Sequence, residues 1–231
     1  MGDRYTLTVD AETLSARFDA EVSSDIKARY NAAPTQLLPV ITQGSSGFSF
    51  FHWGQIPGWS KNKTISNKLI FAELETLEEK FSTKNALAQR RCLIPIDGYY
   101  DWKRISKKGR VAHRIVFGEQ EIVALAGIWE EFEDEQEKIM HTFRIITTTA
   151  NETIGQMNSR MPVVLGKNNE SLWLDNKAEL PQLMEILLPY PDNKISMYSV
   201  SPKIENPANE GPSLIKPFAP ADQFGNYSLF D

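Results

Sequence analysis

The stretch Arg90-Arg91-Cys92-Leu93-Ile94-Pro95-Ile96-Asp97-Gly98-Tyr99-Tyr100-Asp101-Trp102 constrains this chain more than any other. An apolar run leads into Pro95, Asp97-Gly98 gives a turn signal, and Tyr99 to Trp102 resumes extended character. The pattern predicts a strand–turn–strand unit. Tyrosine and tryptophan are apolar in body and polar at the tip, so a dense aromatic run beside the Asp101 carboxylate suits a cleft wall. The same run also fits a turn buried between two core strands.

Around this unit the chain alternates strand and helix signals. Tyr5 to Val9 alternates as a strand, and Asp10 can cap a helix that places Leu14 and Phe18 on one face. Arg29 to Gln36 reads as a loop before the strand Leu37 to Ile41. Gly44 to Gly47 is a hairpin turn, and Phe48 to Trp53 returns as a strand. Ala72 to Leu87 has the apolar spacing of a helix, as does Lys177 to Leu188. Ile115 to Phe117, Ile122 to Trp129, Phe143 to Thr149 and Met161 to Leu165 read as strands, with Asn151 capping a short helix. From Ser201 onward the chain is rich in proline and asparagine and predicts an irregular surface wrap. The sum is one mixed α+β domain rich in antiparallel strands.

Charge narrows the function classes. A net charge of −5 and a pI near 5.4 argue against coating nucleic acid by bulk electrostatics, though not against a local basic groove. The charges are segregated. Lys103, Arg104, Lys107, Lys108, Arg110 and Arg114 follow one another without an acid, and Glu130, Glu131, Glu133, Asp134, Glu135 and Glu137 without a base. Both runs read as exposed hairpin tips, and the basic one is also a candidate backbone contact for a polyanion. A single cysteine, Cys92, excludes an intrachain disulfide and a cysteine-based metal cluster, and no cofactor is implied. No apolar run is long enough to span a bilayer, so no membrane partner is expected and a cytoplasmic location is the default.

Trp53 and Trp59 bracket the Gly/Pro-rich segment Gly54-Gln55-Ile56-Pro57-Gly58. Tryptophans on a loop can stack unpaired bases, at ~1–3 kcal/mol per base, or can simply anchor the loop to the core. With Arg4-Tyr5-Thr6-Leu7, Arg29-Tyr30-Asn31-Ala32-Ala33-Pro34-Thr35-Gln36, the central stretch and Asn158-Ser159-Arg160-Met161-Pro162-Val163-Val164-Leu165, this segment completes an ordered set of motifs. In that order and spacing they resemble the SRAP family (SOS-response-associated peptidase, or abasic-site-processing proteins). The resemblance covers roughly residues 1 to 218.

The resemblance implies an α+β SRAP-like domain over residues 1–231, with a core of about 1–218 and a C-terminal tail, 219–231. Its antiparallel, β-rich core would form barrel-like sheets with flanking helices. It also implies a reaction in a DNA-damage (SOS) response. In the family, removal of Met1 exposes a cysteine whose amine and thiol trap the aldehyde of an abasic site in single-stranded DNA as a thiazolidine. An asparagine, a glutamate and a histidine serve that chemistry as orienting and proton-transfer groups. At the matching positions this chain has Gly2, Phe71, Asp101 and Asn158, and an arginine of the pattern becomes Glu73. Asp101 keeps the carboxyl but retracts it by one methylene, and Asn158 cannot act as a base near neutral pH. The positions that the resemblance assigns to DNA contact are retained: Arg4, Trp53, Trp59, Arg160, Met161 and Pro162.

Three readings follow. In the first, the chain binds single-stranded or abasic-site DNA as a pseudoenzyme, without cross-linking chemistry. In the second it is a residual enzyme, a lyase acting through the Gly2 amine or a peptidase. In the third it is a repurposed scaffold in which Phe71 fills the sugar pocket.

Overall fold

Every residue of Arg91–Ile96 is buried, as a strand covered on both faces must be, and this strand, β6, lies at the centre of the fold. A computed structural model of the chain describes residues 1–22, 26–54, 69–133 and 137–227. β6 pairs antiparallel with β3 (Leu37–Thr42) and β9 (Val123–Glu133). β3 continues to β4 (Phe48–Trp53), β4 to β10 (Ile139–Thr149), and β10 returns to β9. The ring closes, so none of these strands is left as a free edge. β11 (Arg160–Pro162) extends this sheet from β10, and β12 (Val164–Leu165) from β9.

The second sheet leaves the barrel at the Asp97-Gly98 turn. Its order is β13 (Ile195–Ser199), β8 (Arg110–Phe117), β7 (Gly98–Arg104), β1 (Arg4–Leu7) and β2 (Arg29–Ala32). The turn is a hub. The buried Asp97 carboxylate accepts from Thr6 Oγ1 at 2.5 Å, Thr8 N at 2.6 Å and Arg114 Nη2 at 3.1 Å. It accepts from Thr8 Oγ1 as well, at 2.5 Å; it thereby ties β1 and β8 to the start of β7, and four donors around one carboxylate satisfy its burial.

The main core cluster joins the two sheets through Tyr5, Trp53, Ile94, Tyr99 and Phe143, and it includes Met1. A second cluster, with Leu87, Ile128, Ile146 and Trp173, lies beneath α2 (Phe81–Gln89), α4 (Lys167–Leu174) and α5 (Leu180–Glu185). There the buried Arg91 guanidinium donates to the carbonyls of Leu87, Ala88, Trp173 and Asp175, closing the ends of α2 and α4.

The fold is the α+β, barrel-containing architecture that the motifs imply. The predicted caps are present: Asp10 accepts from Thr13 N at the head of α1 (Ala11–Phe18), and Asn151 from Ile154 N at α3 (Glu152–Gly155). Several elements differ. Arg29–Ala32, read as loop, pairs with β1 as β2. The helix predicted over Ala72 to Leu87 is broken. Phe71–Glu73 pairs parallel with β10 as β5, a 3-10 turn follows, and α2 starts only at Phe81, which is 88% exposed. The helix predicted over Lys177 to Leu188 shrinks to α5, fixed by a capping box of Glu179 and Gln182.

Candidate functional site

Three chain segments converge beside the end of β7. β1 runs antiparallel to β7, with Arg4 opposite Tyr100 and Thr6 opposite Gly98, so residues 1–3 pass alongside Asp101 and Trp102. From the other side β10 and β11 pair Thr149 with Arg160. The turn before β11 is closed by Asn158 N donating to Ile154 O at 2.9 Å and Arg160 N to Asn158 Oδ1 at 3.1 Å. That turn aims the Asn158 amide at Asp101, whose Oδ1 and Oδ2 accept from Nδ2 at 3.3 and 3.2 Å.

The group that completes this cluster is the Met1 amine. Met1 is buried, its side chain packed in the main core. Its ammonium donates to Arg160 O at 2.7 Å and lies 3.4 Å from Asp101 Oδ2. Asp101 accepts further from Trp102 N at 2.9 Å. Burial lowers the pKa of this ammonium below the ordinary α-amine value, against the opposing pull of Asp101. A lowered amine pKa increases the neutral, nucleophilic fraction near neutral pH.

Gly2, Asp101 and Asn158 open onto a polar cavity of about 430 Å³. One wall is a triad: Trp102 Nε1 donates to Glu205 Oε1 at 2.7 Å, Arg110 Nη2 to Glu205 Oε2 at 2.5 Å, and the Arg110 guanidinium lies 5.0 Å over the indole. The wall presses on Gly2. A Cβ built there would lie 2.8 Å from Trp102 Cε3 and closer still to Trp102 Cζ3 and the Tyr100 carbonyl oxygen. The space that a side chain at position 2 needs is taken. Trp102 and Arg110 belong to stretches singled out in the sequence, but as wall and hairpin rather than as partners. Met1 and Glu205 carry no local signal of their place here.

The remaining predicted positions divide. Arg4 lines this cavity and an adjoining one of about 400 Å³ beside Thr35 and Gln36. It pairs with Asp3 at 2.9 Å, and its Nε is buried with no partner among the described residues. Arg160 is half-buried. Its side chain donates to Thr147 Oγ1 and O at 3.1 and 2.6 Å and to Glu75 Oε2 at 2.8 Å, and this contact holds the Glu75 carboxyl below its usual range. Trp53 is not a stacking platform. It is fully buried, its Nε1 donates to Ile70 O at 3.1 Å, and Tyr5 and Phe143 pack its ring at 5.2 and 6.4 Å. Met161 and Pro162 are likewise buried and present no side-chain face for a wedge. Phe71 does not line the cavity with Gly2, Asp101 and Asn158. It packs edge-on against Trp53 at 6.1 Å, half-buried on the barrel. Trp59 lies outside the described residues.

The family model described as SOS response associated peptidase (SRAP) matches residues 1–207. The chain belongs to the SRAP family. Among its relatives, the abasic site processing protein YoqW of Bacillus subtilis is 35% identical over 222 residues, covering 94% of this chain and 99% of YoqW. The abasic site processing protein YoaM of the same organism is 34% identical over 221 residues, covering 93% and 97%. A solved structure from Bacteroides thetaiotaomicron shares the fold with a TM-score of 0.83 at 22% identity, covering 94% of this chain and all of that one. One from Bordetella bronchiseptica does so with a TM-score of 0.76 at 22% identity, covering 87% and 100%. The cavity lined by Gly2, Arg4, Asp101 and Asn158 lies within the residues that the family model matches.

Proposed function

We propose that this SRAP protein binds single-stranded or abasic-site DNA in a DNA-damage (SOS) response without forming the thiazolidine cross-link. One observation carries the reading: Gly2, Asp101 and Asn158 share one open polar cavity with Arg4, while position 2 has neither a thiol nor room for one. Relatives named as abasic site processing proteins supply the substrate class. Arg4 and Arg160 are the groups suited to phosphate, Arg4 with an unsatisfied Nε and Arg160 through exchange of Glu75 for phosphate. The test is fluorescence anisotropy on abasic single-stranded oligonucleotides across a salt series. Each phosphate contact adds about 0.7 to the slope of log affinity on log salt, so Arg160→Ala lowers both affinity and slope. Absence of binding at low salt sinks the proposal.

The buried Met1 amine favours a second reading, transient imine chemistry. A neutral amine adds to the aldehyde carbon of the opened sugar. The former carbonyl oxygen takes up protons and leaves as water, giving an imine that water reverses. Asp101, 3.4 Å from the amine, is placed to hold the proton released when the ammonium becomes neutral. Borohydride reduction traps such an imine; no trapped product at any pH excludes it.

A further inference from the structure

The family match ends at residue 207, and the segment beyond it folds back onto the basic hairpin. Arg104, Lys107, Lys108 and Arg110 are exposed around the β7–β8 turn. Asp222 bridges Val111, Arg110 N donates to Gln223 Oε1 at 2.9 Å, and Gln223 Nε2 donates to Lys108 O at 2.5 Å. The hook is held in shape from within: Asp222 Oδ1 accepts from Phe224 N at 3.0 Å and Asn226 N at 2.9 Å.

This hook displays aromatic faces. Phe224 and Tyr227 are each 71% exposed, and Tyr227 stacks on Phe218 with ring centroids 6.5 Å apart and planes at 16°. A shallow cavity of about 390 Å³ opens between Phe218, Tyr227 and Pro202, with Lys203 at its edge. Lys203 and Glu205 share one 3-10 turn, Pro202–Glu205, so one short element carries both the edge of this cavity and the wall of the candidate site. Two acids of this region are already engaged, Glu205 by Arg110 and Asp222 by the hook's own amides.

We propose that the β7–β8 hairpin and the C-terminal hook form a second contact surface for single-stranded DNA, gripping the strand to one side of the candidate site. Bases stack on Phe224 and on the Phe218–Tyr227 pair, and phosphates meet Arg104, Lys107 and Lys108. Interleaved exposed aromatics and cations are the combination that holds unpaired strands without reading their sequence. This extends the DNA reading above and rests on it.

The test is anisotropy with a short oligothymidine that fills only the candidate site and a long one that reaches the hook. Phe224→Ala/Tyr227→Ala is expected to weaken the long oligonucleotide at least ~5-fold, the lower end for one lost stack, and to leave the short one unchanged. Lys107→Ala/Lys108→Ala is expected to lower the salt slope for the long oligonucleotide by about 1.4. Phe224→Trp keeps the stacking face and should retain affinity. Unchanged binding of the long oligonucleotide by both double variants overturns the proposal while the DNA reading stands. So does equal weakening for both lengths. If sedimentation shows that the wild type self-associates and the aromatic variant does not, with DNA affinity unmoved, the face is covered by a second copy and the proposal falls. Wild-type protein that binds neither oligonucleotide overturns the DNA reading, and this surface with it.

Discussion

Gly2→Cys would put back the thiol that the thiazolidine requires, and the structure sets a cost against it. A Cβ at position 2 collides with the Trp102 ring and with the Tyr100 carbonyl oxygen. The ring is held by Glu205 and Arg110, and the carbonyl belongs to β7, flanked by β1 and β8. With Met1 in place residue 2 cannot swing away freely either, because Met1 is anchored on one side at Arg160 and Asp101, and Arg4 lies in β1 on the other; ring closure needs Met1 removed as well, so that the amine and the thiol sit on one residue. Overpacking of this kind costs about 1–3 kcal/mol. At roughly 2–4 °C per kcal/mol for a chain of this size, Tm should fall by about 2–12 °C. Thermal unfolding followed by circular dichroism on wild type, Gly2→Ala and Gly2→Cys checks it. The alanine variant carries the Cβ without the thiol and should lose nearly as much as the cysteine variant. Adding Trp102→Ala removes only the ring half of the collision. Gly2→Ala melting with the wild type would refute the crowding argument. A Gly2→Cys protein at wild-type Tm that also forms adduct rapidly would refute the conclusion drawn from it.

Three further outcomes follow from the same geometry. Asp101→Asn removes the charge partner of the Met1 ammonium and should destabilise the fold more at pH 6 than at pH 8. The folded-state amine pKa already lies below the ordinary value of 8.0, so the unfolded chain binds more protons between the two values and stability rises with pH there. Losing Asp101 lowers the folded value further, and urea titrations at both pH values should show the difference. Glu75→Gln should free Arg160 for phosphate and raise oligonucleotide affinity a few-fold at low salt, read by anisotropy; an unchanged Kd would show that this pair does not compete. Adding Asn158→His and Asp101→Glu to Gly2→Cys should speed adduct formation beyond Gly2→Cys alone, because general acid–base groups contribute ~10²–10⁴-fold. Equal rates on a denaturing gel would show that those groups are not needed.

Local signals were the legible part of the fold. Alternation marked β1, apolar runs marked β9 and β10, and a hairpin turn marked β4; the Asp10 and Asn151 caps fixed two helix starts, and the Asp97-Gly98 turn fell where the chain passes from barrel to second sheet. What stayed hidden depends on partners distant in sequence. Arg29–Ala32 is a strand because β1 lies beside it, and Phe71–Glu73 leaves its helical periodicity because β10 offers a parallel edge. At the site, motif order brought Gly2, Asp101 and Asn158 together, but it could not separate an exposed tryptophan from a buried one. Trp53 ends a strand that faces the core, and no spacing near it says so. Met1 and Glu205 enter the site through contacts spanning 159 and 103 residues, which no local pattern encodes.

We propose that this site binds abasic-site DNA without a covalent trap. The most direct measurement mixes wild-type protein with an abasic single-stranded oligonucleotide, heats the mixture in detergent and resolves it on a denaturing gel over time. Without a thiol at position 2 no ring can close, so any imine hydrolyses, and the account predicts free oligonucleotide and free protein at every time point. A heat-stable adduct formed by the unmodified protein would contradict it.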